Sequence, residues 1–326
     1  MTKVIKWGIL GPGSIAHSFA QGLAVTNNGQ VYAAASRNVE KAQKFIDEYG
    51  GTKAYGSYNE LVQDPDVDAI YVATPHTHHV EHTKLCLNAK KPTLCEKPFA
   101  VNAKQAKEMV ACAKENNTFL MEAMWTRFFP LMYDLRKKIS EGVIGEVRLL
   151  QADFGYRFHW DPKNRILAPD LAGGGLLDVG IYCVSTAYQF IGKPKTVSGK
   201  AHLGESGVDE QNAFIFEYEN GALAVMCSGV RTSLKHELRI YGTEGHVVVH
   251  EGFWRPTKMT IHTNGKDEVF EYDTSCNGYN YEADAVANYL SEGKVESDII
   301  PLEESISMME SMDALRKQWG LIYPGE

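Results

Sequence analysis

Val4-Ile5-Lys6-Trp7-Gly8-Ile9-Leu10, running straight into Gly11-Pro12-Gly13-Ser14-Ile15-Ala16, is the stretch that decides the fold of this chain. The apolar run reads as a buried strand and residues 15–23 as a helix, with a glycine turn between them. Strand, turn and helix in that order cradle a dinucleotide pyrophosphate. Gly11 permits the tight turn, Gly13 lets backbone approach phosphate, and Ala16 is small enough for helix–strand packing. Ser14 and Ile15 open the helix, whose first N–H groups lack partners and whose dipole presents its positive end there.

The same alternation continues outward. Strands are expected at 30–36, 53–55, 68–74, 92–95 and 119–122, and helices at 39–49, 80–89 and 103–116. Apolar strands alternating with amphipathic helices imply an α/β domain, 1–123, with a doubly wound parallel sheet covered on both faces. The pattern then changes. A helix at 129–141 and a long strand at 147–156 lead to Gly173-Gly174-Gly175 and a helix at 177–190. Period-two strands follow at 196–203, 212–218, 223–228, 237–241, 247–250, 258–262 and 268–272. Asn220-Gly221 and Asn264-Gly265 lie between such runs, a hairpin signal. Residues 124–326 thus read as an α+β domain with a large, mainly antiparallel sheet, closed by helices at 281–291 and 302–319.

Length and charge bound the function. The 326 residues suffice for two domains with their own cores. A net charge of −8 argues against nucleic-acid or anionic-membrane partners, and no apolar run reaches a membrane span. Met1-Thr2-Lys3 runs directly into the first strand with no signal-peptide pattern. The six cysteines show no CxxC pair, so reduced thiols in a cytoplasmic protein are expected. One sheet face would leave Phe214, Phe216, Val225 or Val248 outward, depending on register, and self-association as a homodimer or higher oligomer is expected there.

Four segments carry candidate chemistry. The second strand ends Ala35-Ser36-Arg37-Asn38, without the carboxylate that takes ribose hydroxyls in NAD sites. A serine hydroxyl and a guanidinium suit a 2′-phosphate, so NADP is expected, with NAD as the alternative. The next strand ends Thr74-Pro75-His76-Thr77-His78-His79, with Glu81 and His82 close behind. His78, Glu81 and His82 satisfy an H-x-x-E-H zinc-hydrolase pattern. The segment sits where a doubly wound sheet places its ligand crevice, which favours a packed or cofactor-adjacent histidine cluster and no metal. Glu96-Lys97-Pro98 brings to the same edge a lysine able to hold a substrate hydroxyl and stabilise an alkoxide. Asp178 and Tyr182, at i, i+4 near a helix start, offer a phenol acid–base and a carboxylate to position substrate or lysine.

Together, Gly11-x-Gly13-x-x-Ala16, Thr74-Pro75 with His79, Glu96-Lys97-Pro98 and Asp178-x-Gly180-x-Tyr182 resemble the glucose–fructose oxidoreductase/inositol dehydrogenase family over essentially the whole chain. The run from Met121 through Trp125 and Arg127 to Pro130, and the tail from Tyr281 through Leu302, resemble its dimeric dihydrodiol dehydrogenase and NADP-dependent D-xylose dehydrogenase branch. The resemblance implies a Rossmann domain, an open-faced sheet domain, and an active site between them built on Lys97, Asp178 and Tyr182. It places Trp125 and Arg127 on the cofactor or substrate side, and His159, Trp160 and Arg165 as weaker substrate contacts. Many members carry histidine at the position of Tyr182, which sets inositol-dehydrogenase-type chemistry aside here. The implied activity is hydride transfer between NADP and a secondary alcohol or hemiacetal hydroxyl of a sugar or cyclic diol. A non-catalytic NADP-binding regulator is the rival on the same fold.

Overall fold

A computed structural model describes residues 4–274 and 276–326; Met1, Thr2 and Lys3, read above as the lead-in to the first strand, lie outside the described residues. The opening stretch forms β1 (Ile5–Leu10) and α1 (Ser14–Leu23). There follow β2 (Gly29–Ala35), α2 (Val39–Tyr49), β3 (Lys53–Tyr55), α3 (Tyr58–Gln63), β4 (Ala69–Val72), α4 (His79–Asn88), β5 (Thr93–Glu96), α5 (Ala103–Asn116) and β6 (Leu120–Ala123). The strands make one parallel sheet in the order β3-β2-β1-β4-β5-β6. Trp7, Ile9, Ile70, Tyr71 and Leu94 are wholly buried in it, as two-sided coverage requires. Strand order reverses between β1 and β4, so a ligand crevice is expected beyond their carboxyl ends.

The second sheet follows α6 (Pro130–Ser140). Its strands are β7 (Val147–Gly155), then, after α7 (Ile181–Phe190), β8 (Thr196–Leu203), β9 (Asp209–Glu217), β10 (Leu223–Gly229), β11 (Leu238–Gly242), β12 (Gly245–Val249), β13 (Lys258–Thr263) and β14 (Lys266–Glu271). They lie in the order β14-β13-β12-β11-β7-β10-β9-β8, antiparallel except for β7 beside β10. Both Asn-Gly pairs close hairpins; Asn264 and Gly265 each take positive φ, 52° and 70°, as a tight turn between twisted strands demands.

Register decides which residues face where. Val225 is opposite Ile215 and Gln151, and Val248 is opposite Arg239 and Thr260, so these form one row on the outer face. Phe214 and Phe216 point the other way, at 2% and 0% exposure, with Tyr188 of α7 edge-on to Phe216. Of the four residues named as candidates for the outward face, the two phenylalanines are therefore core, Val248 is also buried at 7%, and Val225 is exposed.

After β14 come α8 (Tyr279–Ser291) and α9 (Leu302–Trp319). The chain divides into two compact units, Met1–Phe128 with Thr274–Ile306, and Phe129–Asp273 with Ser307–Glu326. In this division α8 groups with the first sheet, whereas the boundary read after residue 123 puts it in the second domain. The reason is a close helix crossing. A Cβ on Gly22 of α1 would stand 2.8 Å from Asn280 N and from Tyr279 Cβ. Asn277 Nδ2 donates to Ser18 O at 2.7 Å, and Tyr279 stacks on Trp125 at 4.5 Å. In the second unit, α9 is tied to α7 by the Tyr188 hydroxyl, which donates to Ser307 O at 2.7 Å, and Gln318 bridges both ways to the backbone of edge strand β8. Gly22→Ala should lower stability by about 1–3 kcal/mol by overpacking this crossing; a thermal melt unchanged from wild type would show that α8 gives way without cost.

Candidate active site

The glycine turn has the geometry that a phosphate needs. Gly11 sits at φ +89°, and a Cβ there would come within 2.7 Å of Thr74 Cγ2, so only glycine fits. Gly13 N donates to Gly11 O at 2.8 Å. A Cβ on Gly13 would meet nothing nearer than Gly11 O at 4.0 Å, so its outer side is open to a ligand. Gly13 is the N-cap of α1 and supplies no side-chain acceptor, and Ser14 is exposed and Ile15 part-exposed. The first N–H groups of α1 therefore point at open space, the arrangement that binds phosphate. At the end of β2, Ser36 Oγ accepts from Asn38 N at 3.3 Å, and Asn38 Oδ1 caps α2 by accepting from Lys41 N. Arg37 between them is exposed. The residues fit an NADP-type dinucleotide.

At the end of β4, Pro75 is exposed while Thr74 and His76 are buried. His79 is fully buried, its ring nitrogens each 2.9 Å from a carbonyl oxygen, Thr74 O and Pro98 O. Burial pushes its imidazole down to about 4, so at neutral pH it carries one N–H, donates to one of these carbonyls, and spans the ends of β4 and β5. His82 Nδ1 lies 3.0 Å from Thr74 Oγ1, and His78 stacks on His82 at 5.5 Å. Among the described residues no group of three His, Cys, Asp or Glu side chains is placed to hold a metal, which leaves the H-x-x-E-H motif, with Glu81, short of a ligand set.

The Glu96-Lys97-Pro98 turn is pinned from inside the same unit. Glu96 Oε2 accepts from Lys97 N at 3.1 Å, and its other oxygen accepts from the Tyr71 hydroxyl. Two residues on, Phe99 N donates to Glu122 Oε1 at 3.1 Å, while Ser305 Oγ donates to Glu122 Oε2 at 2.6 Å. Lys97 itself is half-buried, and the Lys97–Pro98 peptide is cis. Trp125 is 3% exposed beneath Tyr279. Arg127, expected toward cofactor or substrate, is instead 1% exposed; its Nη1 donates to Ile299 O at 3.0 Å and pairs with Glu304 at 2.5 Å. That guanidinium is engaged inside the fold.

In the second unit the helix expected at 177–190 begins as a π-helical turn, Leu176–Gly180, before α7. Asp178 and Tyr182 are 5% and 6% exposed. Asp178 Oδ1 accepts from Arg165 Nη1 at 2.8 Å, so Arg165, read as a substrate contact, holds the carboxylate and keeps half its own side chain exposed. His159 and Trp160 are exposed. Tyr182 sits edge-on to Phe154 at 5.1 Å, and Phe154 stacks on Trp254 at 5.7 Å and 7°. His236 and Tyr156 complete this aromatic wall, His236 Nε2 lying 2.6 Å from Gly155 O. The sequence reading missed all four. Phe154 was detectable as an inward position of a period-two strand; Trp254 lies in a loop and gave no signal.

A family model described as an oxidoreductase family with an NAD-binding Rossmann fold matches residues 5–124, and the GFO/IDH/MocA C-terminal domain matches residues 132–248. The trans-1,2-dihydrobenzene-1,2-diol dehydrogenase of Xenopus tropicalis is 38% identical over 331 residues, covering 98% of this chain and 99% of that protein. A 3-ketoreductase from Actinomadura kijaniata, solved with NADP and TDP-benzene, superimposes with TM-score 0.85 at 26% identity, over 97% of this chain and 98% of that one. An aldose-aldose oxidoreductase from Caulobacter crescentus, complexed with glycerol, has the same fold, with TM-score 0.88 at 24% identity over 97% and 98% of the two chains. Fold and cofactor cradle define the class, an NAD(P)-dependent dehydrogenase or reductase acting on CH–OH groups. The chain belongs to the GFO/IDH/MocA oxidoreductase family.

Proposed function

We propose that the protein transfers a hydride between NADP and a secondary alcohol, or hemiacetal hydroxyl, of a sugar or cyclic diol. The observation that carries this reading is the strand-end lysine, Lys97, whose backbone is fixed by Glu96 beside the cofactor cradle. The diol class accords with the name of the 38% identical relative. The nicotinamide, when bound, supplies the carbon that takes or gives the hydride. Everything else falls to side chains. The Lys97 ammonium holds the substrate oxygen and stabilises negative charge on it as the C–H bond breaks. The Tyr182 phenol exchanges the hydroxyl proton. Asp178, steadied by Arg165, positions the reacting groups. The Phe154 and Trp254 rings give an apolar face suited to the carbon skeleton of a cyclic substrate.

Lys97→Met should abolish turnover with D-xylose or trans-1,2-dihydrobenzene-1,2-diol while NADPH, titrated by fluorescence, still binds; near-normal turnover would remove the assignment.

NADP preference rests on Ser36 and Arg37 standing where NAD sites carry a carboxylate. Removing a guanidinium from a phosphate costs about 2 kcal/mol, roughly 30-fold in affinity. Arg37→Ala should raise the NADP KM by that order and leave the NAD KM nearly unchanged, and an equal rise for both cofactors would count against the 2′-phosphate role.

The outer sheet face is proposed as a self-association surface, since Ile215, Leu223 and Val225 are each 39% exposed on it. The six free cysteines accord with a reducing cytoplasmic setting, and no helix among the described residues is long and apolar enough to cross a membrane. Val225→Glu should shift the oligomer toward monomer in light scattering; a wild-type protein already monomeric at micromolar concentration would exclude the surface.

A further inference from the structure

The backbone that presents Asp178 and Tyr182 has a conformation that helix propensity does not supply. Ala172 lies at φ 54°, Gly174 at φ +117°, and the π-helical turn follows at once. Such a segment persists only when its surroundings hold it. Asp209, the first residue of β9, is completely buried against it. Its Oδ2 accepts from Leu176 N and from Asn212 Nδ2, each at 2.7 Å. Its Oδ1 has no hydrogen-bond partner among the described residues and occupies the place a Cβ on residue 174 would need, so glycine is obligatory there. Asn212 Oδ1 in turn accepts from Ser228 Oγ at 2.8 Å, and Ser228 Oγ stands 2.7 Å from where a Cβ on Gly180 would be. From the other side, the buried Tyr323 hydroxyl donates to Gly173 O at 2.5 Å.

We propose that Asp209, seconded by Tyr323, is a positioning residue for the turn carrying Asp178 and Tyr182, and that ionisation of Asp209 tightens the turn. This rests on the catalytic roles proposed above for Asp178 and Tyr182. A carboxylate accepts hydrogen bonds about twice as strongly as a neutral acid, so the Leu176 N–H is held harder in the ionised form. Leu176 N, the Asn212 amide and the Asp209 backbone N–H face the carboxyl as donors, Arg316 of α9 is the attractive charge, and the Tyr323 phenol lies beside it, itself acted on by Asp178, Glu326 and Arg316. Burial, opposed by these groups, pushes the Asp209 carboxyl up to about 7 from 3.8. The sign for stability is opposite to that for positioning. The native state holds this proton more tightly than the unfolded chain, so the group's contribution is greatest below about 4, declines as pH rises toward 7, and is flat above. The turn is tightest where that contribution is smallest.

The test compares Asp209→Asn, Tyr323→Phe and Tyr182→Phe with wild type, using NADP+ with D-xylose and with trans-1,2-dihydrobenzene-1,2-diol from pH 6 to 9. Asp209→Asn should lose about tenfold in kcat at pH 8 and lack the wild-type rise in kcat near pH 7, with the NADP KM within roughly twofold. A uniform drop at every pH, or wild-type kcat throughout, overturns the proposal. Should the asparagine variant fail to fold, Tyr323→Phe decides: a several-fold fall in kcat at unchanged NADP KM supports positioning, and wild-type kcat refutes it. Tyr182→Phe separates the layers. If it is inactive while the Asp209 and Tyr323 variants behave as wild type, only the positioning role falls; if it is fully active, the catalytic reading falls and takes this proposal with it.

Discussion

Two buried carboxylates fix the backbone on which the proposed chemistry depends. Glu96 and Glu122 are 4% and 1% exposed, and a carboxylate so placed is costly unless its lone pairs are used. Theirs are used on the turn between them. Glu96 takes the Lys97 N–H and the Tyr71 hydroxyl; Glu122 takes the Phe99 N–H and the Ser305 hydroxyl, with the Arg127 charge acting on it. The turn is thus tied through one acid to a central strand and through the other to the start of α9. A lysine on such a backbone starts from a fixed point at the end of β5. Glu282, fully buried in the same unit with neither oxygen hydrogen-bonded among the described residues, is the contrasting case. Burial, aided by the Glu96 charge, holds its carboxyl well above the usual range.

The second unit solves the same problem with different parts. Asp178 stands on a segment of unfavourable conformation that leads into the helix bearing Tyr182, and the compensation comes from Asp209, Asn212, Ser228 and Tyr323 behind it. In front, Asp178 is matched by Arg165 and Tyr182 by the edge-to-face contact with Phe154. Local strain at the site is offset by a buried polar network whose members are nearly all satisfied. That pattern is more informative than the Asp-x-x-x-Tyr spacing, because it shows what the surrounding sequence is for.

Much of the architecture was legible because it follows from periodicity. Alternating apolar strands and amphipathic helices imposed the parallel sheet, and α2, α5, β3, β8 and α9 fall on the residues the pattern indicated. Asn-Gly pairs imposed the hairpins. Destination was not legible. Nothing local in α8 says that it returns to the first sheet, since the deciding feature is a missing side chain at Gly22, more than two hundred residues earlier in the chain. Register was not legible either. Phe214 and Ile215 differ by one position, and only the pairing with β8 and β10 puts the first in the core and the second outside.

Site residues divide along the same line. The turn at Gly11 was readable because it is local, a positive φ and a close approach to Thr74 that only a missing side chain permits. Arg127, Arg165 and Asp209 were not, because a charged side chain takes its role from the group it meets. Arg127 meets Glu304 and a carbonyl and becomes structural; Arg165 meets Asp178 and becomes its support. Asp209 carried no motif at all, and its part follows from the backbone N–H groups of a turn thirty residues away. A sequence motif therefore identifies a local backbone geometry better than the atoms that hold it in place, since holding depends on partners that spacing along the chain does not encode.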